Sequence, residues 1–255
     1  MKKDKKDKKD LPFVFVGTPA YDGKVDTAYS QSLAETAFMS AMWGIRFSAC
    51  VMGNGAFIEM SRNVMVKQFL DDDDFTHLFF VDSDLKFPYH AFINLVLANQ
   101  PVTAGVYRRR QEPEDYPANW LPHPEVKGDN GEDTLWVENN DWLQCSRAPT
   151  GFLCIRRDVL ERMVEDSRTV NVPNQPPLPW LFETKIDEAG RFVGEDFTFC
   201  DKYMELYRDG VFDSPIQVIA DIDFVHGGYK GNWAKFLSKS VADYKRRRKL
   251  GKKVA

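Results

Sequence analysis

Two aspartates, Asp82 and Asp84, stand one residue apart at the end of the apolar run His77-Leu78-Phe79-Phe80-Val81. A run of this length and composition predicts a buried strand, so both carboxylates are expected where the packed core ends. Mg²⁺ and Mn²⁺ prefer oxygen ligands and accept one or two carboxylates together with substrate phosphates. The pair therefore indicates a site for one of these cations, which can hold a diphosphate. Asp84 is the better candidate ligand, while Asp82 is either a second ligand or a contact to ribose or a metal-bound water.

The spacing alone is not specific, because three other pairs of aspartates have it. They are Asp71/Asp73, Asp72/Asp74 and Asp221/Asp223. The first two overlap in a run that is typical of a solvated turn. Context distinguishes the Asp82/Asp84 pair, namely its strand together with His226 and the acidic helix start at Asp196. A cap of a helix or turn remains an alternative role for Asp82.

A further metal ligand is expected near the other end of the chain, at His226. This histidine follows the apolar pair Phe224-Val225 and precedes Gly227-Gly228. Glycines leave room for the imidazole to face a cleft and for main-chain N–H groups to approach a phosphate. The alternative is a histidine whose hydrogen bonds are satisfied in the core.

Three more charged residues are candidates for catalysis or for binding a substrate diphosphate. Glu195 and Asp196 open a predicted helix, where either could deprotonate an acceptor hydroxyl, and Asp196 is the preferred general base. Stabilisation of the helix N-terminus is the alternative explanation for both. Arg62, near the start of another predicted helix, could contact a diphosphate or hold Asp82 or Asp84; the alternative is an ordinary surface arginine.

The elements that must position these residues alternate between strands and helices in the first half of the chain. Strands are predicted over 11–16, 45–52, 76–81 and 101–106, and helices over 26–43, 58–70 and 88–99, with Asp26 as a candidate N-cap. This order predicts a parallel, right-handed α/β sheet with helices on both faces. Functional groups of such sheets gather at the carboxyl ends of the strands, which would place Thr18, Pro19 and Asp22 beside Asp82, where a nucleoside would bind.

The second half of the chain is less regular. Residues 111–140 predict a long excursion over the sheet edge that carries the carboxyl ends of the strands, and a hairpin is one form that it could take. Further predicted elements are a strand over 148–155, helices over 156–165 and 195–208, a strand over 216–220 and a terminal helix over 233–248. We expect one domain over 11–240, with a nucleotide-binding half at 11–110 and an acceptor-side half at 111–240, between basic tails at 1–10 and 241–255.

The composition, 43% hydrophobic and 28% charged over 255 residues, is that of an ordinary soluble globular protein. The net charge of −4 is uneven, since residues 1–10 carry +3 and residues 245–253 carry +7. These ends are either solvated tails or contacts to an anionic surface. No run of about 20 apolar residues and no secretory signal is visible, so a cytoplasmic location is expected. Four widely spaced cysteines argue against a zinc knuckle.

Six segments, in this order, resemble those of nucleotide-sugar glycosyltransferases with the GT-A fold, especially small bacterial and phage-encoded members related to family 2 and the Anp1-like group. The segments are Gly17-Thr18-Pro19 with Tyr21-Asp22-Gly23, Ser61-Arg62-Asn63, Thr76 to Asp84, Thr150-Gly151-Phe152 with Arg156 to Leu160, Gly194 to Cys200, and His226. The resemblance covers about residues 11–235. It is fairly specific for fold and donor class but not for the sugar.

The resemblance implies a GT-A, Rossmann-like mostly parallel sheet and a metal-dependent enzyme that moves a single sugar from a nucleotide-diphosphate sugar to a hydroxyl acceptor. Mn²⁺ or Mg²⁺ would be held by Asp84, by Asp82 less directly, and by His226. Thr18, Pro19, Asp22 and Arg62 would line the nucleotide pocket, and Asp196 would be the base of an inverting member. The Q-x-x-R-W segment of processive synthases is absent, which favours single transfer, while inverting and retaining chemistry both stay open.

Two other function classes remain compatible with the residues. A nucleotidyltransferase also uses paired aspartates and Mg²⁺, but the Gly-rich phosphate loop expected near its N-terminus is missing. A non-catalytic module that binds carbohydrate or nucleic acid would use the aromatic residues of 116–142 or the basic ends. The acceptor could be a glycan, a lipid-linked glycan or modified DNA, and a cytoplasmic protein of phage origin would work in the host cytoplasm.

Overall fold

The computed structural model describes residues 11–53, 55, 57–128, 131, 133–137, 142–172, 176–219 and 222–232. The predicted tails, the predicted terminal helix and Asp221 lie outside these residues. Within them are five α-helices: α1 (Thr27–Met42), α2 (Ile58–Leu70), α3 (Tyr89–Ala98), α4 (Arg157–Glu165) and α5 (Glu195–Arg208).

The described strands are numbered in chain order. They are β1 (Phe13–Ala20), β2 (Arg46–Gly53), β3 (His77–Val81), β4 (Leu85–Lys86), β5 (Val102–Gly105), β6 (Asn119–Trp120), β7 (Pro122–Lys127), β8 (Asp133–Leu135), β9 (Trp142–Arg147), β10 (Phe152–Arg156), β11 (Thr169–Val170), β12 (Leu178–Pro179), β13 (Lys185–Ile186), β14 (Phe192–Val193), β15 (Ile216–Ile219), β16 (Val225–His226) and β17 (Tyr229–Lys230).

Eight strands form the central sheet in the order β2-β1-β3-β10-β5-β15-β9-β6. Six of them run in one direction, and only β9 and β10 run against it. The predicted mainly parallel α/β sheet is confirmed. In a sheet of consecutive α/β units, β5 would pair directly with β3. Here the antiparallel strand β10 lies between β3 and β5.

Helices cover both faces of this sheet, as predicted. The side chains of β3 alternate, so that Phe79 and Val81 pack with α1 and α3 while Leu78 and Phe80 pack with α2, α4 and α5. All five residues of β3 are buried, as the sequence predicts for a strand covered on both faces. The carboxyl end of β3 is therefore the first point where this strand can present polar groups.

The excursion between β5 and β9 does contain the predicted hairpin, formed by β7 and β8. A second, smaller element was not predicted. The short strands β4, β16 and β17 form a three-stranded sheet that joins the segment after Asp84 to the end of the described chain. No described helix is long and apolar enough to cross a bilayer.

Candidate functional site

The Asp82-Ser83-Asp84 turn lies at the carboxyl end of β3, where the sequence places it. The Asp82 main-chain N–H donates to the Gly151 carbonyl at 3.0 Å, and the Asp26 N–H donates to the Ser83 carbonyl at 2.9 Å. Asp26 occupies the N-cap position of α1, as predicted, but its side chain makes no capping hydrogen bond. These two bonds fix the turn between the start of α1 and the residue before β10.

Both carboxylate oxygens of Asp82 have protein partners. Arg62 Nη2 donates to Oδ1 at 3.2 Å, and the Tyr107 hydroxyl donates to Oδ2 at 3.0 Å. A side chain at Gly151 would enter this arrangement, because a Cβ atom there would lie 2.1 Å from both Asp82 Oδ2 and the Tyr107 hydroxyl. Asp82 is therefore held in one position by three residues from three separate segments.

Arg62 connects the turn to the start of α5. It is only 2% exposed, and its Nη1 group makes an ion pair with Glu195 Oε1 while Nη2 contacts Asp82. Burial opposes the charge of the guanidinium, but the carboxylates of Asp82, Glu195 and Asp196 outweigh it and raise the Arg62 pKa. Of the two roles predicted for Arg62, the structure shows the one in which it holds Asp82.

Asp84 faces two basic groups instead. Its Oδ2 atom accepts from Arg110 Nη1 at 2.8 Å, and His226 Nε2 lies 3.6 Å from Oδ1. The other ring nitrogen of His226, Nδ1, is 3.0 Å from the Arg108 carbonyl. When Nδ1 carries the proton and donates it to this carbonyl, the lone pair of Nε2 is directed at Asp84. A histidine that binds a metal through Nε2 needs this tautomer.

The small sheet brings His226 to this position. His226 pairs with Leu85 in the β16–β4 ladder, and the Gly227 N–H donates to the Asp84 carbonyl at 3.0 Å. Gly227 has φ +51°, and a Cβ there would lie 2.5 Å from Arg110 Cδ, so this turn favours glycine. The predicted approach of His226 to the aspartates thus depends on main-chain pairing between segments about 140 residues apart in the chain.

The donor groups fit a divalent cation that keeps open positions for substrate. Within the described residues, no group of three or more His, Cys, Asp or Glu side chains is arranged to bind one metal ion. Asp84 and His226 offer one oxygen and one nitrogen at adjacent positions, and Mg²⁺ often takes only one or two protein ligands beside phosphates and water. Asp82, with both oxygens engaged, is the poorer ligand of the two aspartates.

Glu195 and Asp196 occupy the first turn of α5, as predicted. Asp196 Oδ1 accepts the Phe197 main-chain N–H at 2.7 Å. Burial, followed by the charge of Glu195, raises the Asp196 pKa against the opposing effect of Arg62. The two residues therefore have different surroundings: Glu195 is paired with a buried arginine, whereas Asp196 is a buried carboxyl whose pKa is raised above its ordinary value.

A cavity of about 240 Å³ opens beside the turn. Its lining includes Pro19, Tyr21 and Ser61 together with Asp82, Asp84 and Arg110. Of the predicted nucleotide contacts, only Pro19 and Asp82 line it.

Thr18, Asp22 and Arg62 are not among the lining residues. Thr18 is 1% exposed, and its hydroxyl shares a 2.6 Å hydrogen bond with Tyr29. Asp22 instead accepts from the Lys24 main-chain N–H at 3.1 Å. Thr18 misses the cavity because β1 extends to Ala20, beyond the predicted end at residue 16, and directs its hydroxyl into the core.

Sequence reasoning gave no role to Tyr107 or to Gly151. Tyr107 follows β5 and touches both parts of the site, since its hydroxyl binds Asp82 and its ring lies 4.7 Å from the His226 ring. The only signal in the sequence was the position of Tyr107 directly after a predicted strand. Thr150-Gly151 was part of the family resemblance, but nothing in the sequence indicated that a side chain at position 151 would collide with Asp82.

Comparison with known proteins gives structural likeness alone. No family model matches the chain, and no curated protein matches it in sequence. Similar solved structures include A197 from STIV (14% identity, 85% of each chain, TM-score 0.48). A glycosyltransferase involved in the glycosylation of the major capsid of PBCV-1 is another (11% identity, 59% of this chain and 63% of that one, TM-score 0.30).

GalNAc-T7 with UDP, GalNAc and Mn²⁺ is a third (9% identity, TM-score 0.41), and its match covers 87% of this chain but 45% of that one. At identities this low and TM-scores below 0.5, these likenesses add nothing to what the geometry of the site supports.

Proposed function

We propose that this chain is a metal-dependent glycosyltransferase that moves one sugar from a nucleotide-diphosphate sugar to a hydroxyl acceptor. The observation that carries the proposal is the facing pair Asp84 and His226, 3.6 Å apart, with Asp84 lining the cavity at the end of β3. The pair offers one carboxylate and one imidazole, whose Nδ1 atom lies 3.0 Å from the Arg108 carbonyl. Mn²⁺ or Mg²⁺ bound there would act as a Lewis acid for the departing diphosphate.

The other residues of the site have roles that follow from their contacts. Arg110, at 2.8 Å from Asp84, supplies positive charge where a diphosphate would lie. Asp82 is held rigidly by Arg62 and Tyr107, which suits a fixed acceptor for a ribose hydroxyl. Asp196 is the group that takes the proton from the acceptor hydroxyl.

A thermal-shift experiment on the full chain tests the donor site. UDP, GDP, CDP, ADP and dTDP are added in turn with and without Mn²⁺. We expect one of them to raise the melting temperature only when Mn²⁺ is present. The size of the shift follows from mass action, since a ligand at a hundredfold its Kd adds about 2.7 kcal/mol of stability. Asp84→Asn should abolish the metal-dependent part of the shift, and Asp84→Ala should remove turnover of nucleotide sugars.

The matched control is Asp73→Asn, which alters an aspartate with the same spacing on the exposed turn before β3. This variant should behave as the wild-type protein does. Undiminished hydrolysis of nucleotide sugars by Asp84→Ala would sink the proposal. Release of pyrophosphate in place of a nucleoside diphosphate would identify a nucleotidyltransferase instead.

A further inference from the structure

The three consecutive arginines that follow β5 have three different environments. Arg108 is 7% exposed, and its guanidinium binds two main-chain carbonyls. Arg109 is exposed and pairs with Asp115 at 3.0 Å. Arg110 instead faces the candidate site, where its Nη1 atom lies 2.8 Å from Asp84 Oδ2. The contact of Arg110 is therefore specific to its position and is not shared by the run as a whole.

Arg110 is held much less firmly than the other arginine of the site. The Arg110 side chain is 55% exposed, whereas that of Arg62 is 3% exposed and is fixed between the carboxylates of Asp82 and Glu195. Arg110 also lines the cavity of about 240 Å³ that Asp84 lines. An exposed ion pair adds little to stability, so Arg110 can exchange Asp84 for another anion in this cavity at small cost.

The turn that brings His226 to Asp84 also receives the side chain of Arg110. A Cβ atom at Gly227 would lie 2.5 Å from Arg110 Cδ, and the Gly227 N–H donates to the Asp84 carbonyl at 3.0 Å. The aliphatic part of Arg110 therefore lies against the glycine that follows His226. As a result, the guanidinium and the imidazole meet the same carboxylate, at Oδ2 and Oδ1 respectively.

We propose that Arg110 makes metal binding at Asp84 depend on a bound diphosphate. This inference rests on the function proposed above, because the metal and the diphosphate are those of its donor. The charge of Asp84 attracts a divalent cation, and the charge of Arg110 opposes the same cation. A diphosphate in the cavity offers the guanidinium oxygens that suit its fork of N–H groups. Once Arg110 binds these oxygens, the full charge of Asp84 is available to the metal.

The consequence is that metal and diphosphate bind cooperatively. Linkage requires that each raises the affinity for the other by the same factor. Contact between a metal and phosphate oxygens gives some cooperativity in any such site, and Arg110 adds to it by weakening the binding of metal alone. Removing an arginine with a purely structural role would lower both affinities or neither. Removing Arg110 should instead change the two affinities in opposite directions.

Binding of Mn²⁺ alone to the full chain, followed by the electron paramagnetic resonance signal of the free ion, tests the first half of the proposal. Arg110→Gln should bind Mn²⁺ about tenfold more tightly than the wild-type protein, because the opposing charge is gone. Arg110→Lys keeps the charge and should bind Mn²⁺ nearly as weakly as the wild type. Adding Asp84→Asn to Arg110→Gln should abolish the gain, which assigns the bound ion to Asp84.

Nucleotide binding in saturating Mn²⁺ tests the second half. UDP, GDP, CDP, ADP and dTDP are titrated in turn, and the one that binds the wild-type chain should bind Arg110→Gln about tenfold more weakly. The matched control is Arg109→Gln, which removes the same charge from the neighbouring exposed arginine. This control should bind both Mn²⁺ and the nucleotide as the wild type does.

The outcomes separate this inference from the proposed function. A wild-type chain that binds Mn²⁺, with an Arg110→Gln variant that binds it equally or less tightly, would overturn the inference and leave the proposed function standing. Undiminished nucleotide binding by the variant would do the same. Failure of the wild type and the variant alike to bind Mn²⁺ would overturn the inference together with the metal dependence of the proposed function.

Discussion

The buried imidazole of His77 makes the folding stability depend on pH. His77 opens β3 and is 4% exposed, and burial lowers its pKa from 6.5 to about 4. Between these values the unfolded chain takes up a proton that the folded protein does not. The stability that depends on neutral His77 is therefore complete above pH 6.5 and is lost as the pH falls towards 4, by about 3 kcal/mol in all.

Urea unfolding at pH 7.5 and pH 4.5 measures this loss, which His77→Gln should largely remove. His90→Gln alters an exposed histidine and should keep the full pH dependence. If His77→Gln loses as much stability on acidification as the wild type does, the pH dependence comes from other groups.

Asp196 gives the second prediction at this scale. A general base must be ionised, and burial raises the pKa of this carboxyl. The rate of transfer should therefore begin to fall at a higher pH on acidification than an ordinary aspartate, with a pKa of about 3.9, would give. Asp196→Asn keeps an oxygen for the Phe197 N–H and should lower kcat by about 10²–10⁴-fold with little change in donor binding.

Glu195→Gln is the matched comparison, because it alters the neighbouring carboxylate that pairs with Arg62. Because the charge of Glu195 contributes to the raised pKa of Asp196, Glu195→Gln should move the acid side of the pH–rate profile to lower pH without removing it. An Asp196→Asn enzyme with an unchanged pH–rate profile would exclude Asp196 as the base.

Residue types predicted which groups gather at the site better than they predicted the contacts within it. The sequence placed Asp82, Asp84 and His226 together, and the structure has them together. It could not show that Arg62 spans from Asp82 to Glu195, because that pairing joins residues 133 positions apart. It could not show either that Thr18 bonds to Tyr29 inside the core.

At the scale of elements, Asn63 of α2 holds the segment after β12 by hydrogen bonds to its main chain. Asn63 is fully buried; its Oδ1 accepts from the Leu181 and Phe182 N–H groups at 2.9 and 3.0 Å, and its Nδ2 donates to the Phe182 carbonyl at 2.7 Å. These bonds set Phe182 against the Phe199 ring of α5, with ring centroids 4.6 Å apart. The segment thus links α2 to α5, the helices that carry Arg62 and Asp196.

Asn63→Ala should therefore lower the free energy of unfolding by about 3 kcal/mol or more, because three buried main-chain groups lose their partner and each costs about 1–3 kcal/mol. Chemical denaturation measures the change. Gln68→Ala, an exposed position on the same helix, should cost well under about 1 kcal/mol. A loss of that small size for Asn63→Ala would mean that water replaces the missing amide.

Local patterns were sufficient for the five described helices and for most of the longer core strands, but not for the short strands or for strand pairing. The bounds of α2 and α5 are those that apolar periodicity and the acidic first turn predict. The position of β10 between β3 and β5 was not predicted, because the contacts that choose it are non-local. The two-residue strands β4 and β16 carry no periodicity that a sequence pattern could reveal.

At the scale of the whole molecule, one sheet separates two cores that share its strands. Phe79 contributes to the core beneath α1 and α3, and Phe80 to the core beneath α2, α4 and α5. The candidate site sits at the carboxyl edge between them, reached from α1 on one side and from α2 and α5 on the other. Both helical layers therefore determine where Asp82 and Asp84 lie.

The pairing of β4 with β16 also sets a time at which the site can exist during synthesis. Asp84 is made 142 residues before His226 (226 − 84 = 142), an interval of about 7–28 s at ~5–20 residues per second. Until Val225 and His226 leave the ribosome, β4 lacks its partner strand and Asp84 lacks its imidazole neighbour. A nascent or prematurely terminated chain that stops before residue 225 is therefore expected to be inactive however much of the central sheet it has folded.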